Sequence, residues 1–538
     1  MKFLKKFGTY YEYEEYMNNE PYYPSVALIE SDRVAYEDDI PLYFEALEDN
    51  VAVLLSRAVE YSFDSREWVT LAGNVFSPDL LAGQKIYLRK IATDASGSVG
   101  SFRLSGRCNV GGNIMSMLYG SEFRNQYSLP NQLIQLFANC TQLVDASKLR
   151  LPATILTYGC YNGMFSGCTS LVSAPELPAT TLAYGCYDSM FSGCTSLVSA
   201  PALPATTLNT RCYYAMFLNC KNLVTPPALP ATTLAGQCYV AMFSGCTSLV
   251  SAPVLPATTL AANCYGEMFY GCTSLVSAPA LPATTLADYC YVNMFGHCTS
   301  LVSAPALSAT ILAENCCGGM FINCTGLISA PALPATTLAN NCYNGMFYDC
   351  KSLVVAPELP ASQLADYCYT DMFHGCTSLT VAPALPATRL AYSCYSSMFH
   401  GCTSLTVAPA LPATTVVSYC YLHMFSGCTS LVSAPELPAT TLASYCYRGM
   451  FNGCTSLTVA PALLATKLAN SCYREMFYKC EHLSYIKMLA TSVDKDYCLN
   501  SWVNGVASAG TFVKAAGVTI PTGTSGIPIG WTVEEVAV

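Results

Sequence analysis

The chain has 538 residues, room for several domains at ~100–200 residues each. Its apolar share of 52% excludes disorder throughout. Only 11% of residues are charged, against a usual ~25%. A chain so poor in charge suits one motif stacked on copies of itself, with most faces internal. The net charge of −10 argues against a nucleic-acid partner, which needs clustered Lys and Arg. Mean hydropathy is +0.34, yet Pro, Gly and Cys interrupt every apolar run before the ~18 residues of a membrane helix.

Residues 1–45 are acidic and Tyr-rich, with EYEEY at 12–16 and Pro21 and Pro24 breaking any helix. MKFLKK opens like a secretory signal, but GTYYEYEEYMNNE follows where an apolar region should be. Folding in a reducing cytoplasm is therefore expected. ALIESDRVAYED reads as strand, turn and strand. This opening resembles the leader of virion-associated and repeat proteins from Bacteroidales phages and prophages; an exposed tail or small cap fits equally well.

Residues 46–128 predict a β-sandwich. The runs VAVLLS, AVEYSF, EWVTLA, QKIYLRKI and GSFRLSG are separated by Gly, Asn, Asp and Pro turn signals. YSFDSREW (61–68) is similar to a Tyr-Ser-x-Asp-Gly-Gly-x-x-Trp hairpin of bacterial β-domains, with Ser65 and Arg66 in place of the Gly pair. Its reading is mainly structural, with carbohydrate binding as the functional alternative. GRCNVGGNIMSMLYG lacks a GxGxxG or a P-loop Lys and reads as the junction into the next unit.

From 129 to 490 the cysteines keep a period. One series runs Cys168, Cys194, Cys220, Cys246, Cys272 and onward in steps of 26 to Cys480, with Cys140 before it. A second runs Cys160, Cys186, Cys212, Cys238 and onward by 26 to Cys498. Of the 30 cysteines only Cys108 and Cys317 stand outside. Residues 177–202 give one unit, LPATTLAYGCYDSMFSGCTSLVSAPA. SLVSAP predicts a strand ended by Pro, CYxxMFxGC a short helix or 3-10 turn with Gly as its stop, and TTLA an extended tract. The fold class is a repeat solenoid of about 13 or 14 leucine-rich-repeat-like β/α (or β/3-10) coils. Strand spacing of ~4.8 Å makes it roughly 65 Å long. SWVNGVASAGTFVKAAGVTIPTGTSGIPIGWTVEEV, within 491–538, reads as a closing β-hairpin cap.

The run MFSGCTSLVSAP…LP…L resembles the BspA-like leucine-rich repeat, with its Phe-x-x-Cys-x-x-Leu core and Leu/Ile-Pro turn. The resemblance covers about Leu129 to Leu489, and this unit is about three residues longer than the family's. It implies a surface adhesion or binding protein of Bacteroidales bacteria or their phages and prophages.

The thiols admit several chemistries. Metal binding is disfavoured, because no CxxC occurs and His297, His374, His400, His423 and His482 are the only histidines. A Cys nucleophile needs its own base, which many interchangeable copies of one environment do not offer. Disulfides between neighbouring coils stay open on distance. The favoured reading is a structural thiol ladder of small buried fillers, Cys168, Cys194, Cys220, Cys246 and Cys272 on one line and Cys186, Cys212 and Cys238 on the other.

The sequence varies around the first Cys and before the second. Tyr184, Tyr214, Tyr270, Tyr289, Tyr348, Tyr367, Tyr392, Tyr419 and Tyr445 belong to these positions and are the candidate recognition residues. Drift at exposed positions would give the same pattern. The VSAPA stretch barely changes and could meet a periodic partner. No catalytic set and no cofactor site is legible. The expected function is non-enzymatic recognition of a host-surface protein or glycan by a virion component made in the host cytoplasm. Residues 1–128 would attach it to other virion proteins, and a homo-oligomer is allowed. A bacterial cell-surface adhesin and a purely structural spacer are the alternatives.

Overall fold

The structure, a computed structural model, describes residues 39–91, 99–127, 129 and 133–537. Nearly all of the 1–45 leader, including both Pro positions and EYEEY, lies outside the described residues. The N-terminal strands are β1 (Tyr43–Ala46), β2 (Val53–Leu55), β3 (Val59–Ser62), β4 (Val69–Leu71), β5 (Val75–Phe76), β6 (Lys85–Arg89), β7 (Phe102–Leu104), β8 (Cys108–Asn113) and β9 (Leu143–Arg150). They form a six-stranded sheet in the order β4-β3-β6-β1-β8-β9 and a three-stranded sheet β5-β2-β7. Alternation of apolar and polar residues in KIYLR, with its buried Ile86 and Leu88, gives β6 one inward face. Phe44 on the first sheet meets Phe102 on the second at 5.0 Å between ring centroids.

β9 lies within the first coil and pairs parallel with β8. Asp145 on β9 then bridges Ser173 of the next coil. The N-terminal sheet therefore does not stop at residue 128: it runs edge to edge into the repeats, and one buried apolar cluster extends from Leu42 to Trp531.

In the repeats, parallel bridges join residues 26 apart, such as Ser277 to Ser303, Ser303 to Ser329 and Ser329 to Val355. A second line joins Thr181 to Thr207 and Thr415 to Thr441. In the inner coils the expected strand is thus reduced to a single bridging residue, because the Pro two residues on cannot donate to the ladder.

The expected helix in CYxxMFxGC does not form. The only helical turns among the described residues are Ser116–Tyr119 and the 3-10 turn Gly120–Glu122, both before the repeats. Over 211–219 the N–H groups of Arg211, Tyr213, Ala215, Phe217 and Asn219 donate to carbonyls of the next coil at 2.7–3.2 Å. The intervening N–H groups, from Cys212 to Cys220, donate three residues back within the coil. An α-helix would use every N–H internally; here alternate ones bind the neighbour, giving a ribbon of overlapping turns. The geometry needs a left-handed residue every fourth position, as at Arg211 (φ 59), Ala215 (φ 48) and Asn219 (φ 59). The Gly before the second Cys, as at Gly193 (φ 75), supplies that turn and is not a helix stop.

Two aromatic columns run through the stack. Phenylalanines from Phe102 and Phe137 through Phe165 to Phe477 repeat at 5.1–5.8 Å, ending on Trp502. The Tyr after the first Cys forms the other, from Tyr161 to Tyr291 and from Tyr343 to Tyr473. Cys317, buried in the Tyr position, is the gap between them.

The C-terminal cap is not a hairpin. β10 (Tyr485–Met488), β11 (Thr511–Ala515) and β12 (Thr532–Val536) are all parallel, continuing the direction of the coil ladder. Trp502, fully buried, closes the columns and donates Nε1–H to the Gly526 carbonyl at 2.8 Å.

Candidate functional site: the outer rows of the coils

The left-handed residue just before the first Cys turns the chain at a corner of each coil. Most residues tolerate that backbone poorly; Gly and Asn do best. Gly159, Gly185, Asn263, Asn315 and Asn341 occupy it in several coils, but Tyr289, Tyr367, Tyr419 and Tyr445 do so in others. A bulky side chain there costs about 1–2 kcal/mol of strain.

Three of these strained tyrosines join Tyr392 in a row over four consecutive coils. Ring centroids lie 5.3 Å apart for Tyr367–Tyr392, 5.4 Å for Tyr392–Tyr419 and 4.7 Å for Tyr419–Tyr445. Tyr367 and Tyr392 are exposed and Tyr419 and Tyr445 half-buried. Desolvation by the packed rings, then neighbouring phenols, push the Tyr392 and Tyr419 hydroxyls above their ordinary range, so both remain protonated donors at neutral pH. Tyr419 and Tyr445 stack face to face, whereas Tyr367 meets Tyr392 edge-on and Tyr392 is tilted against Tyr419, so the row offers edges, hydroxyls and part of its ring faces.

The nine candidates do not form one surface. Tyr184 stacks on Tyr158 at 5.2 Å near the start of the repeats. Tyr289 lies alone, its hydroxyl donating to Glu314 at 3.2 Å. Tyr214 is half-buried beneath Arg211, whose guanidinium sits 4.1 Å from the ring centroid while pairing with Asp188. Tyr270 and Tyr348 lie on a separate row before the second Cys. Tyr270 packs on His297 at 4.9 Å, and Tyr348 stacks on His374 at 4.3 Å, which stacks on His400 at 4.4 Å. Desolvation, then the neighbouring His374 and His423, push His400 down to about 4.

Sequence reasoning missed Tyr158 and Tyr497, at 63% and 66% the most exposed tyrosines of the repeats. Aligning the terminal coils on the unit finds both, since each sits beside a first-position Cys. It also missed an aliphatic line: Val172, Val198, Val224, Val250, Val276, Val302, Ile328 and Val354 are each 40–52% exposed on the uniform face. The repeated Leu-Val pair carried that signal.

All thirty cysteines are buried and unbridged. Cys168, Cys194, Cys220, Cys246 and Cys272 donate their thiols to Phe137, Phe165, Phe191, Phe217 and Phe243 carbonyls of the preceding coil at 3.0–3.1 Å. They are therefore inter-coil donors as well as fillers, a role spacing alone does not reveal. Cys212 and Cys238 are fully buried, as is Cys186, whose thiol donates to the Thr157 carbonyl at 3.1 Å. Burial pushes Cys212 and Cys220 up to about 12, so these thiols are not nucleophiles at neutral pH. Among the described residues no three or more His, Cys, Asp or Glu side chains converge on a metal-sized site, and no helix is long and apolar enough to cross a membrane.

Residues 119–249 and 369–501, just under half of the chain, match the model of the BspA type leucine rich repeat region in six copies. No curated protein and no solved structure matches the chain.

Proposed function

We propose that this stack of BspA-type leucine-rich repeats is a non-enzymatic recognition protein whose contact surface is the Tyr367–Tyr392–Tyr419–Tyr445 row. One observation carries the reading: Tyr367, Tyr392, Tyr419 and Tyr445 pack ring to ring over four consecutive coils at one outer corner. Tyr rings and hydroxyls, held by ring-to-ring packing along the row, suit a protein surface, where Tyr contributes broad contact at little entropic cost. The BspA-type match supports protein adhesion or recognition as the general role.

Display on a bacterial cell surface fits that repeat family. The virion reading rests on the leader resemblance within residues 1–45. Proteomics of purified virions against surface-shaved cells separates the two.

The contact surface is tested by flow cytometry of labelled full-length chain on intact host cells. Tyr392→Ser with Tyr419→Ser should lower binding at least ~tenfold, and protease treatment of the cells should abolish it. Unchanged binding by the double variant overturns the assignment to this row.

A further inference from the structure

The N-terminal β unit holds a cleft of about 480 Å³ that the recognition reading does not use. Its walls include Trp68, Tyr87, Arg89, Ser121, Phe123 and Arg124, brought together from the lead-in to β4, from β6 and from the 3-10 turn and the residues after it. The volume lies within the ~300–1,000 Å³ of small-molecule sites.

We propose that this cleft binds an acidic saccharide, the aromatic side chains taking the apolar face of a sugar ring and the two guanidiniums its carboxylate or sulfate. Arg89 is set in place before any ligand arrives. Its guanidinium lies 4.0 Å from the Trp68 ring centroid, and Glu60 holds Nε at 2.9 Å. That leaves the terminal nitrogens, the bidentate fork that matches an oxyanion. Arg124 also lines the cleft, paired through Nε with the Asp39 carboxylate and donating from one terminal nitrogen to the Asp39 carbonyl, both at 3.3 Å, with its side chain 59% exposed. Tyr87 is fixed edge-on by Tyr43 at 5.8 Å, and burial pushes its phenol up, keeping it a neutral donor.

Charge favours an anion locally. Of the charged residues that line the cleft, Arg89 and Arg124 outnumber Asp39, on a chain whose net charge is −10. The negative field of the rest of the chain opposes a polyanion such as nucleic acid but little affects a single short saccharide. An inorganic anion alone would gain nothing from the partly exposed Trp68 and Tyr87 rings, which sugar C–H faces do use.

The test uses the full chain and tryptophan emission. Of the three Trp, Trp502 and Trp531 are buried in the cap, so a ligand-induced change reports on Trp68. Titrants are digalacturonic acid, a sulfated galactose disaccharide, neutral galactobiose and sodium sulfate. One or both acidic disaccharides should bind at least ~tenfold more tightly than galactobiose and sulfate, and binding should weaken with salt. The stronger of the two identifies the anion. Arg124→Gln, at an exposed site, should weaken that binding at least ~tenfold with an unchanged melting temperature; Arg89→Gln should do the same, and if it alters the melt, Arg124→Gln decides. No binding of either acidic sugar, equal binding of galactobiose or sulfate, or unchanged affinity in Arg124→Gln overturns the proposal. None of these outcomes depends on the tyrosine row.

Discussion

The thiol of Cys194 donates to the carbonyl of Phe165 at 3.1 Å, one coil and three residues behind it. The same carbonyl accepts the N–H of Cys168 at 3.0 Å. A side chain at this position must be small enough for the interior and still reach back as a donor. Ala fails the second demand, and a larger apolar residue fails the first.

This burial fixes the alkaline behaviour of the protein. Cys220, Cys324 and Cys480 are raised by burial from about 9 to about 12. In the unfolded chain the thiols ionise above about 9; in the folded chain they stay protonated, so there the unfolded state binds fewer protons and stability falls as pH rises. Melting temperature should hold on the neutral side of pH 9 and drop steeply between about 9 and 12. A thiol-reactive dye at pH 8 should label almost none of the 30 cysteines in the native chain and all of them in guanidinium. Rapid native labelling would contradict thiol burial.

The interruption at Cys317 offers a gain in stability. Tyr291 and Tyr343 end the two halves of the Tyr column, and Cys317 stands in the coil between them. Cys317→Tyr completes the column with two new ring pairs, each worth about 0.5–1.5 kcal/mol beyond area burial. The denaturation midpoint should rise; a fall would mean that the neighbouring rings have closed over the position and the larger side chain overpacks it.

Much of this architecture was legible in the sequence, because a strict period multiplies every signal. The Cys spacing alone places Cys194 over Cys168 and Phe191 over Phe165. The turn ribbon was hidden because Tyr187 and Met190 are both buried, three residues apart, which mimics one face of a helix. Left-handed residues at every fourth position separate the two structures, yet Ala215 and Arg211 carry no mark of such a backbone. The cap misled in a similar way: two β runs around a Gly-rich turn suggest a hairpin, whereas the exposed ladder of the last coil imposes parallel pairing on β11 and β12. The tyrosine row depends on which corner each Tyr occupies, and a one-residue shift such as Tyr392 against Tyr367 has no meaning before the coils are stacked.

Acid should act through the histidine stack. His400 packs against His374 at 4.4 Å and near His423, with Asp371 as the nearby counter-charge. Its folded value is depressed to about 4 from 6.5, so on acidification the unfolded state takes up the proton first. The stabilisation present above about 6.5 is lost as pH falls toward 4. His400→Gln should flatten the melting temperature between pH 6.5 and 4 relative to the parent. An identical acid profile in the two proteins would show that other groups set it.

Coil deletion separates folding from recognition. Bridges and turn bonds connect each coil mainly to its neighbours, so stability should behave as a sum of coil and interface terms. Removing residues 247–298, two whole periods, joins Cys246 to Thr299 in phase and leaves the Tyr367–Tyr445 row untouched; the shortened chain should fold and keep its cell binding. Removing 377–428 instead joins Cys376 to Thr429 in phase but deletes Tyr392 and Tyr419, bringing Tyr367 and Tyr445 onto adjacent coils. That chain should melt like the first deletion yet bind at least ~tenfold more weakly, through the loss of two anchoring aromatics. Equal binding by the two deletions would place recognition elsewhere on the stack, and loss of cooperative unfolding in both would show that the coils do not add independently.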